Sequence, residues 1–238
     1  MRFVLGRSGR WGQSTFRSYG KPGGAVQLCR IAALLFAGAV ALMPAAGRTA
    51  DRPVRIVAFG DSLTAGFGLA KQDAFPAKLE KALRAKGIAV TIENAGVSGD
   101  TTSGGLARLD WSVAEGTDAV ILELGANDAL RGLDPEAVRA ALEAIVKRLK
   151  TRGIAVLLAG MLAPRNLGAD YARAFDPIYP DLATAHGLVL YPFFLDGIAG
   201  DRGLNQGDGL HPTAAGVDVI VNRILPKVEE LIARAKAR

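Results

Sequence analysis

The chain has 238 residues, 50% of them hydrophobic, 22% charged, and a formal net charge of +6. That length suits one well-buried core and a single main domain rather than several. The positive charge does not point to a nucleic-acid partner, because residues 1–50 carry seven Lys and Arg and no acid, leaving 22 basic against 23 acidic side chains beyond them, a net of −1.

Those first 50 residues have a basic, Gly/Ser-rich front, then the apolar run Ile31 to Ala46, then small residues through Gly47-Arg48-Thr49-Ala50. Charge, apolar stretch and small-residue end are the three parts of a cleaved secretory signal. The apolar run has 16 residues, short of the roughly 20 that a membrane span needs. Residues 1–50 are therefore expected to be a leader, residues 51–238 the folded domain, and the destination periplasmic or secreted. No membrane span is expected once the signal is removed. The single cysteine, Cys29, lies within the leader. The remaining chain has only His186 and His211 and no thiol, a poor donor set for zinc, so no metal and no organic cofactor are expected.

From residue 51 short apolar runs alternate with longer amphipathic ones. The first run, Val54 to Phe59, reads as a strand and leads into Gly60-Asp61-Ser62-Leu63. Gly, Asp and Ser are ordinary turn and cap residues, so Ser62 alone says little. Gly60 to Gly68 also invites a phosphate-loop reading, but it lacks the Walker lysine and the glycine spacing of a dinucleotide site. A helix over Ala74 to Lys86 comes next, then a strand over Ala89 to Asn94 and a glycine-bearing turn with Gly99. Thr102 to Trp111 reads as helix and Ala119 to Leu124 as strand, followed by Gly125-Ala126-Asn127-Asp128. Asp134 before Pro135 is a helix cap with proline in the first turn, opening a helix to Arg152. Ile154 to Ala159 and Leu188 to Tyr191 complete five strands, with a helix over Asp170 to His186 between them and one from Pro212 to Ala235 closing the chain.

Nearly continuous apolar runs suit strands buried on both faces, and strands alternating with helices imply an α/β three-layer sandwich with a five-stranded parallel sheet. Sites in such sheets form where strands end and helices begin. Ser62, Gly99 and Asn127 follow the first three strands, and Asp208 with His211 precedes the last helix. A three-residue separation lets the Asp208 carboxylate and the His211 imidazole lie side by side. One edge of the sheet thus gathers a hydroxyl, a base and its carboxylate partner, the parts that make a serine hydroxyl nucleophilic at neutral pH.

The blocks Val57 to Gly66, Asn94 to Thr102, Glu123 to Asp128 and Asp208-Gly209-Leu210-His211-Pro212 together resemble the SGNH, or GDSL, hydrolases. Gly104 with Leu106-Ala107-Arg108-Leu109, Leu130-Arg131-Gly132, and Ala174-Phe175 with Ile178-Tyr179-Pro180 are similar to its bacterial exported branch, which holds thioesterase, arylesterase and lysophospholipase activities; Ala126 stands where that branch often has glycine. The resemblance implies a flavodoxin-like fold and hydrolysis of esters and thioesters through an acyl-serine. It assigns Ser62 as nucleophile, His211 as base and then acid, and Asp208 as its orienting carboxylate. It assigns the oxyanion hole to the N–H groups of Ser62 and Gly99 and the amide of Asn127, with Gly99 sparing the reacting carbonyl a side chain. The expected partner is a small acyl ester or thioester. Its acyl chain is expected against Leu130, Leu133, Met161, Leu162 and Phe193, in loops that follow strands. Two other readings stay open: a carbohydrate O-acetylesterase, which the 6% aromatic content disfavours, and a non-catalytic α/β binding module, which leaves Asp208 and His211 without a purpose.

Overall fold

The computed structural model describes residues 52–238 and, before them, residues 15, 17, 18 and 20; the rest of the leader, Cys29 included, lies outside the described residues. Five parallel strands form one sheet in the order β2-β1-β3-β4-β5. They are β1 (Val54–Gly60), β2 (Val90–Gly96), β3 (Ala119–Glu123), β4 (Ala155–Ala159) and β5 (Val189–Tyr191). Helices α1 (Ser62–Ala65), α2 (Phe75–Ala85), α3 (Thr102–Ser112), α4 (Ala126–Leu130), α5 (Pro135–Thr151), α6 (Ala169–Phe175), α7 (Ile178–His186) and α8 (Ala214–Lys236) cover both faces, giving the expected three-layer α/β sandwich. Every residue of β3 and β4 is buried, which is why those runs read as continuous apolar stretches.

β2 departs from that expectation. It is the sheet's edge, and Thr91, Glu93 and Asn94 are exposed. Two of its N–H groups are met locally instead: Glu80 Oε2 accepts from Ile92 N at 2.6 Å and Asn94 Oδ1 from Gly96 N at 3.0 Å, contacts that leave less of the edge open to pairing with another chain.

The helix expected over Asp170 to His186 is two helices. Pro177 has no N–H to continue the ladder, so α6 ends at Phe175 and α7 begins at Ile178. Two short helices, α1 and α4, stand where turns were expected. The closing helix starts at Ala214 rather than Pro212, because Thr213 caps it, accepting from Gly216 N at 3.2 Å. Asp134 caps α5 as its position before proline foretells, accepting from Glu136 N.

At the carboxyl end of the sheet, β1 delivers Gly60, β2 delivers Gly96 in register with it, and β3 delivers Glu123 on its other side. The loops leaving these adjacent ends carry Ser62, Gly99 and Asn127.

Candidate active site

Ser62 opens α1, a helix of one turn, with its side chain almost covered. Asp61 caps that helix, its Oδ1 accepting from Leu63 N at 2.9 Å. Such a cap typically stabilises a helix start by about 1 kcal/mol. The serine hydroxyl meets His211 Nε2 at 2.9 Å, and His211 Nδ1 meets Asp208 Oδ2 at 2.7 Å. Asp208 Oδ1 also accepts from Leu210 N at 2.9 Å and from His211 N at 3.0 Å. The backbone N–H of His211, then that of Leu210, then the imidazole pull the Asp208 carboxyl down to about 2. An ionised carboxylate can only accept, so His211 Nδ1 carries the ring proton and Nε2 presents its lone pair to the serine.

The loop holding His211 is tied down from several directions. Gln206 N donates to His211 O at 2.7 Å, and Gln206 Nε2 donates to both Phe67 O and Pro212 O. Asn205 pairs with Pro212 in an isolated bridge and donates its side chain to Ile198 O and Asp201 O.

Asn127 sits on α4, which begins after Gly125. Gly125 has a φ of 115°, and a Cβ there would run into the Tyr179 hydroxyl, so only glycine suits this turn. Tyr179 in turn donates to Leu124 O at 2.8 Å from a fully buried position. The Asn127 amide donates to Asp61 Oδ2 at 3.1 Å. An amide nitrogen has two hydrogens, so a second remains for another acceptor.

Gly99 lies on the loop between β2 and α3 with a φ of 81°. Among protein atoms a Cβ here would meet only Arg131 Nη2, at 3.9 Å. The positive φ is the requirement. Three ties fix this loop: Arg131 Nη2 donates to Gly99 O at 2.9 Å, Thr102 N and Oγ1 donate to the buried Asp128 carboxylate, and Arg108 Nε donates to Asp100 Oδ2 at 2.7 Å.

Sequence reasoning passed over Arg108, Asp61, Glu123 and Asp128 as functional residues. Arg108 is 7% exposed and lies over the Phe59 ring at 4.1 Å. Its guanidinium donates to Gly60 O at 2.8 Å, to Ala95 O at 2.9 Å and to Asp100, so one side chain joins the ends of β1 and β2 to the Gly99 loop. Behind the serine turn lies Glu123, fully buried, whose Oε2 accepts from Thr64 Oγ1 at 2.7 Å. Its Oε1 has no hydrogen-bond partner. Burial, followed by the charge of Asp61, pushes the Glu123 carboxyl well up. Burial also raises Asp61, to about 6, against the hydrogen bonds from Leu63 and Asn127. The signal available in the sequence was a lone acid at the end of an apolar strand and an arginine inside a helix otherwise rich in small residues.

Beside Ser62 and His211 opens a cavity of about 510 Å³ with a mostly apolar lining. Leu130, Met161, Leu162 and Phe193 line it as expected, and Asn127 reaches its wall. Leu133 does not. Beyond α4 the chain turns at Gly132 (φ 63°), and Leu133 O accepts from the Tyr171 hydroxyl at 2.8 Å. Leu63, Ala126 and Leu210 are among the other residues that line the cavity.

Side chains of serine, histidine and aspartate in contact at the carboxyl ends of a five-stranded parallel sheet, beside an apolar cavity, are the arrangement of a hydrolase built on a three-layer α/β sandwich. The chain belongs to the GDSL-like Lipase/Acylhydrolase family, whose model matches residues 58–219. It is 37% identical to the esterase TesA of Pseudomonas aeruginosa over 201 residues, 84% of this chain and 99% of that protein. It is 33% identical to the thioesterase 1/protease 1/lysophospholipase L1 of Escherichia coli (strain K12) over 178 residues, 74% of this chain and 84% of that one. Among solved structures it resembles AlinE4, an SGNH-hydrolase family esterase, with 49% identity and a TM-score of 0.64 over 75% of this chain and 96% of that one. The protein is accordingly an enzyme of the ester-hydrolase class.

Proposed function

We propose that Ser62 is the nucleophile of this hydrolase, His211 its general base and then acid, and Asp208 the carboxylate that holds His211 in its working tautomer. The observation that carries this reading is the unbroken pair of contacts from Asp208 to His211 at 2.7 Å and from His211 to Ser62 at 2.9 Å, at the wall of an apolar cavity.

The hydroxyl proton of Ser62 passes to His211 Nε2 as Oγ attacks the acyl carbon. The developing oxyanion is met by the N–H groups of Ser62 and Gly99 and by the free hydrogen of the Asn127 amide. Preorganised donors of this kind stabilise the transition state by about 2.7–4 kcal/mol each. His211 then gives its proton to the departing alcohol or thiol, and a water activated by the same imidazole releases the acid from Ser62. Neither step calls for a cofactor.

The substrates that suit the cavity are small esters and thioesters of short to medium acyl chains, the acyl group lying against Leu130, Met161, Leu162 and Phe193 and water staying out. The hydrolase domain is assigned to residues 51–238 and a cleaved export signal to residues 1–50, with a periplasmic or secreted destination. No helix among the described residues is long and apolar enough to cross a membrane. N-terminal sequencing of exported protein tests the signal: a start at or near residue 51 supports it, and an intact residue 1 overturns it.

Labelling with a fluorophosphonate and turnover of a p-nitrophenyl ester test the mechanism. Ser62→Ala should abolish labelling, and Ser62→Ala and His211→Ala should each remove nearly all turnover. Turnover close to wild type in either variant would refute the assignment.

A further inference from the structure

Phe67 lies outside the cavity and outside the proposed machinery, yet its position is fixed by both halves of that machinery. Its N–H donates to Ser62 O at 3.1 Å, and its carbonyl accepts from Gln206 Nε2 at 2.8 Å. Gln206 is the residue that also binds the backbone of His211 and Pro212. Between these ties the Phe67 ring lies over the imidazole of His211, centroids 4.5 Å apart and planes tilted by 35°. Half of the residue remains in solvent, at 50% exposure. The ring is thus fixed in place beside the imidazole with part of its surface open to solvent.

The geometry of acyl transfer says what would come to rest there. Around the carbon under attack four bonds have to be directed. One runs to Ser62 Oγ, a second to the oxyanion beside Asn127 and Gly99, and a third carries the acyl chain into the cavity, which Phe67 does not line. The fourth bond is the one that breaks. Its oxygen or sulfur must come within reach of His211 Nε2 to receive the proton, and the ring over His211 is that of Phe67. Resting on the hydrolase reading above, we infer that the exposed face of Phe67 is the platform for the leaving group, which makes Phe67 a specificity-determining residue favouring esters of aromatic alcohols. An aryl group placed there gains an offset or edge contact with the ring that an alkyl group of equal reactivity lacks. Phe67 acts before the carbon–oxygen bond breaks and loses its influence afterwards, because the acyl-enzyme no longer carries the leaving group.

The test compares two esters of one acid, 2-naphthyl acetate and ethyl acetate, in the full-length enzyme and in Phe67→Ala, Phe67→Leu and Phe67→Trp. Taking the ratio of variant to wild type for each ester cancels their unequal chemical reactivity. Phe67→Ala and Phe67→Leu are expected to lower kcat/KM for 2-naphthyl acetate by roughly three- to tenfold, the size of one aromatic contact, while ethyl acetate changes by less than about twofold. Phe67→Trp is expected to keep the aryl preference. Labelling of Ser62 by a fluorophosphonate, whose leaving group is fluoride, should proceed at the wild-type rate in all three variants. An equal loss on both esters, or a matching loss of labelling, would mean that Phe67 serves only to hold His211, and the inference would fall. Unchanged kinetics on both esters would also overturn it. Failure of the hydrolase reading looks different: the wild-type enzyme itself would be neither labelled nor active on either ester.

Discussion

The amide of Asn127 donates to Asp61 Oδ2 at 3.1 Å, so the residue just before the serine and the asparagine after the third strand hold one another. Asp61 thereby has two tasks: its Oδ1 caps the helix that Ser62 opens, and its Oδ2 turns the Asn127 amide so that one hydrogen is spent and one is free. Asn127→Ala should lower kcat by about 10²- to 10³-fold with little change in KM, as expected for a donor used in the transition state. Asp61→Asn keeps a cap acceptor but sets an amide nitrogen against that of Asn127. Its kcat should fall by roughly tenfold, and in the double variant it should add little to Asn127→Ala. Independent, multiplying losses in steady-state kinetics would show that the two side chains do not act as a unit.

Glu123 and Asp61 give the serine turn a definite pH signature. Burial raises both carboxyls, Asp61 to about 6 and Glu123 well above its ordinary range. A carboxyl whose pKa is higher in the folded state holds its proton there while the unfolded chain has already released it. The folded state therefore loses stability as pH rises from the ordinary carboxylate range near 4 through the raised values. Asp208, lowered to about 2, works in the opposite sense but over a separate, more acidic interval. Glu123→Gln removes one titrating group and relieves its neighbour, so Tm between pH 5 and pH 8 should slope less than in the wild type. Tm curves of equal slope for the two proteins, whatever the offset between them, would contradict the pairing.

Arg108 should behave as a clamp whose loss is felt both in stability and in turnover. Its side chain and that of Asp100 are 8% and 11% exposed, so removing one partner leaves a nearly buried charge unpaired, which typically costs about 3–5 kcal/mol. Arg108→Ala also frees the carbonyls of Gly60 and Ala95. The double variant Arg108→Ala/Asp100→Ala should recover part of that loss, giving a coupling of roughly 1–3 kcal/mol in a denaturant cycle. Simple additivity would mean that the ion pair contributes nothing beyond its separate contacts.

What could be read from the sequence follows from how local each feature is. The strands β1, β3 and β4 announce themselves because burial on both faces leaves nearly all their residues apolar, and Asp134-Pro135 announces α5 because cap and proline are adjacent. Ser62, Asn127 and His211 are legible because each follows or precedes an element that fixes where it lies. The roles of Glu123 and Arg108 were illegible for the opposite reason, although both stand in blocks that carry the family resemblance. Their partners, Thr64 and Gly60, are 59 and 48 residues away, and nothing local distinguishes a buried clamp from a solvated charge. Leu133 misled because it closes the loop stretch Ala129 to Leu133 that follows the third strand, and sequence position alone does not say that only its earlier part lines the cavity. Phe67 gave no sign of its place over His211, which the contacts of Gln206 create across 139 residues.

The cavity beside Ser62 sets the last expectation. Each methylene of an acyl chain that leaves water for its walls gains about 0.8 kcal/mol, close to a fourfold rise in kcat/KM when the gain is realised in the transition state. For p-nitrophenyl esters of increasing chain length, kcat/KM should climb on that order until the space of about 510 Å³ is filled, then level or fall. Leu130 is the position at which to move that limit. It lines the cavity yet is 50% exposed, so enlarging it burdens the entrance and leaves the core alone. Leu130→Trp should leave acetate ester turnover within about twofold and shift the optimum to a shorter chain, with thermal stability close to wild type. An unchanged chain-length profile would mean that the acyl group lies elsewhere, and an equal loss at every length would mean that Leu130→Trp disturbs Asn127, three residues earlier on the same helix.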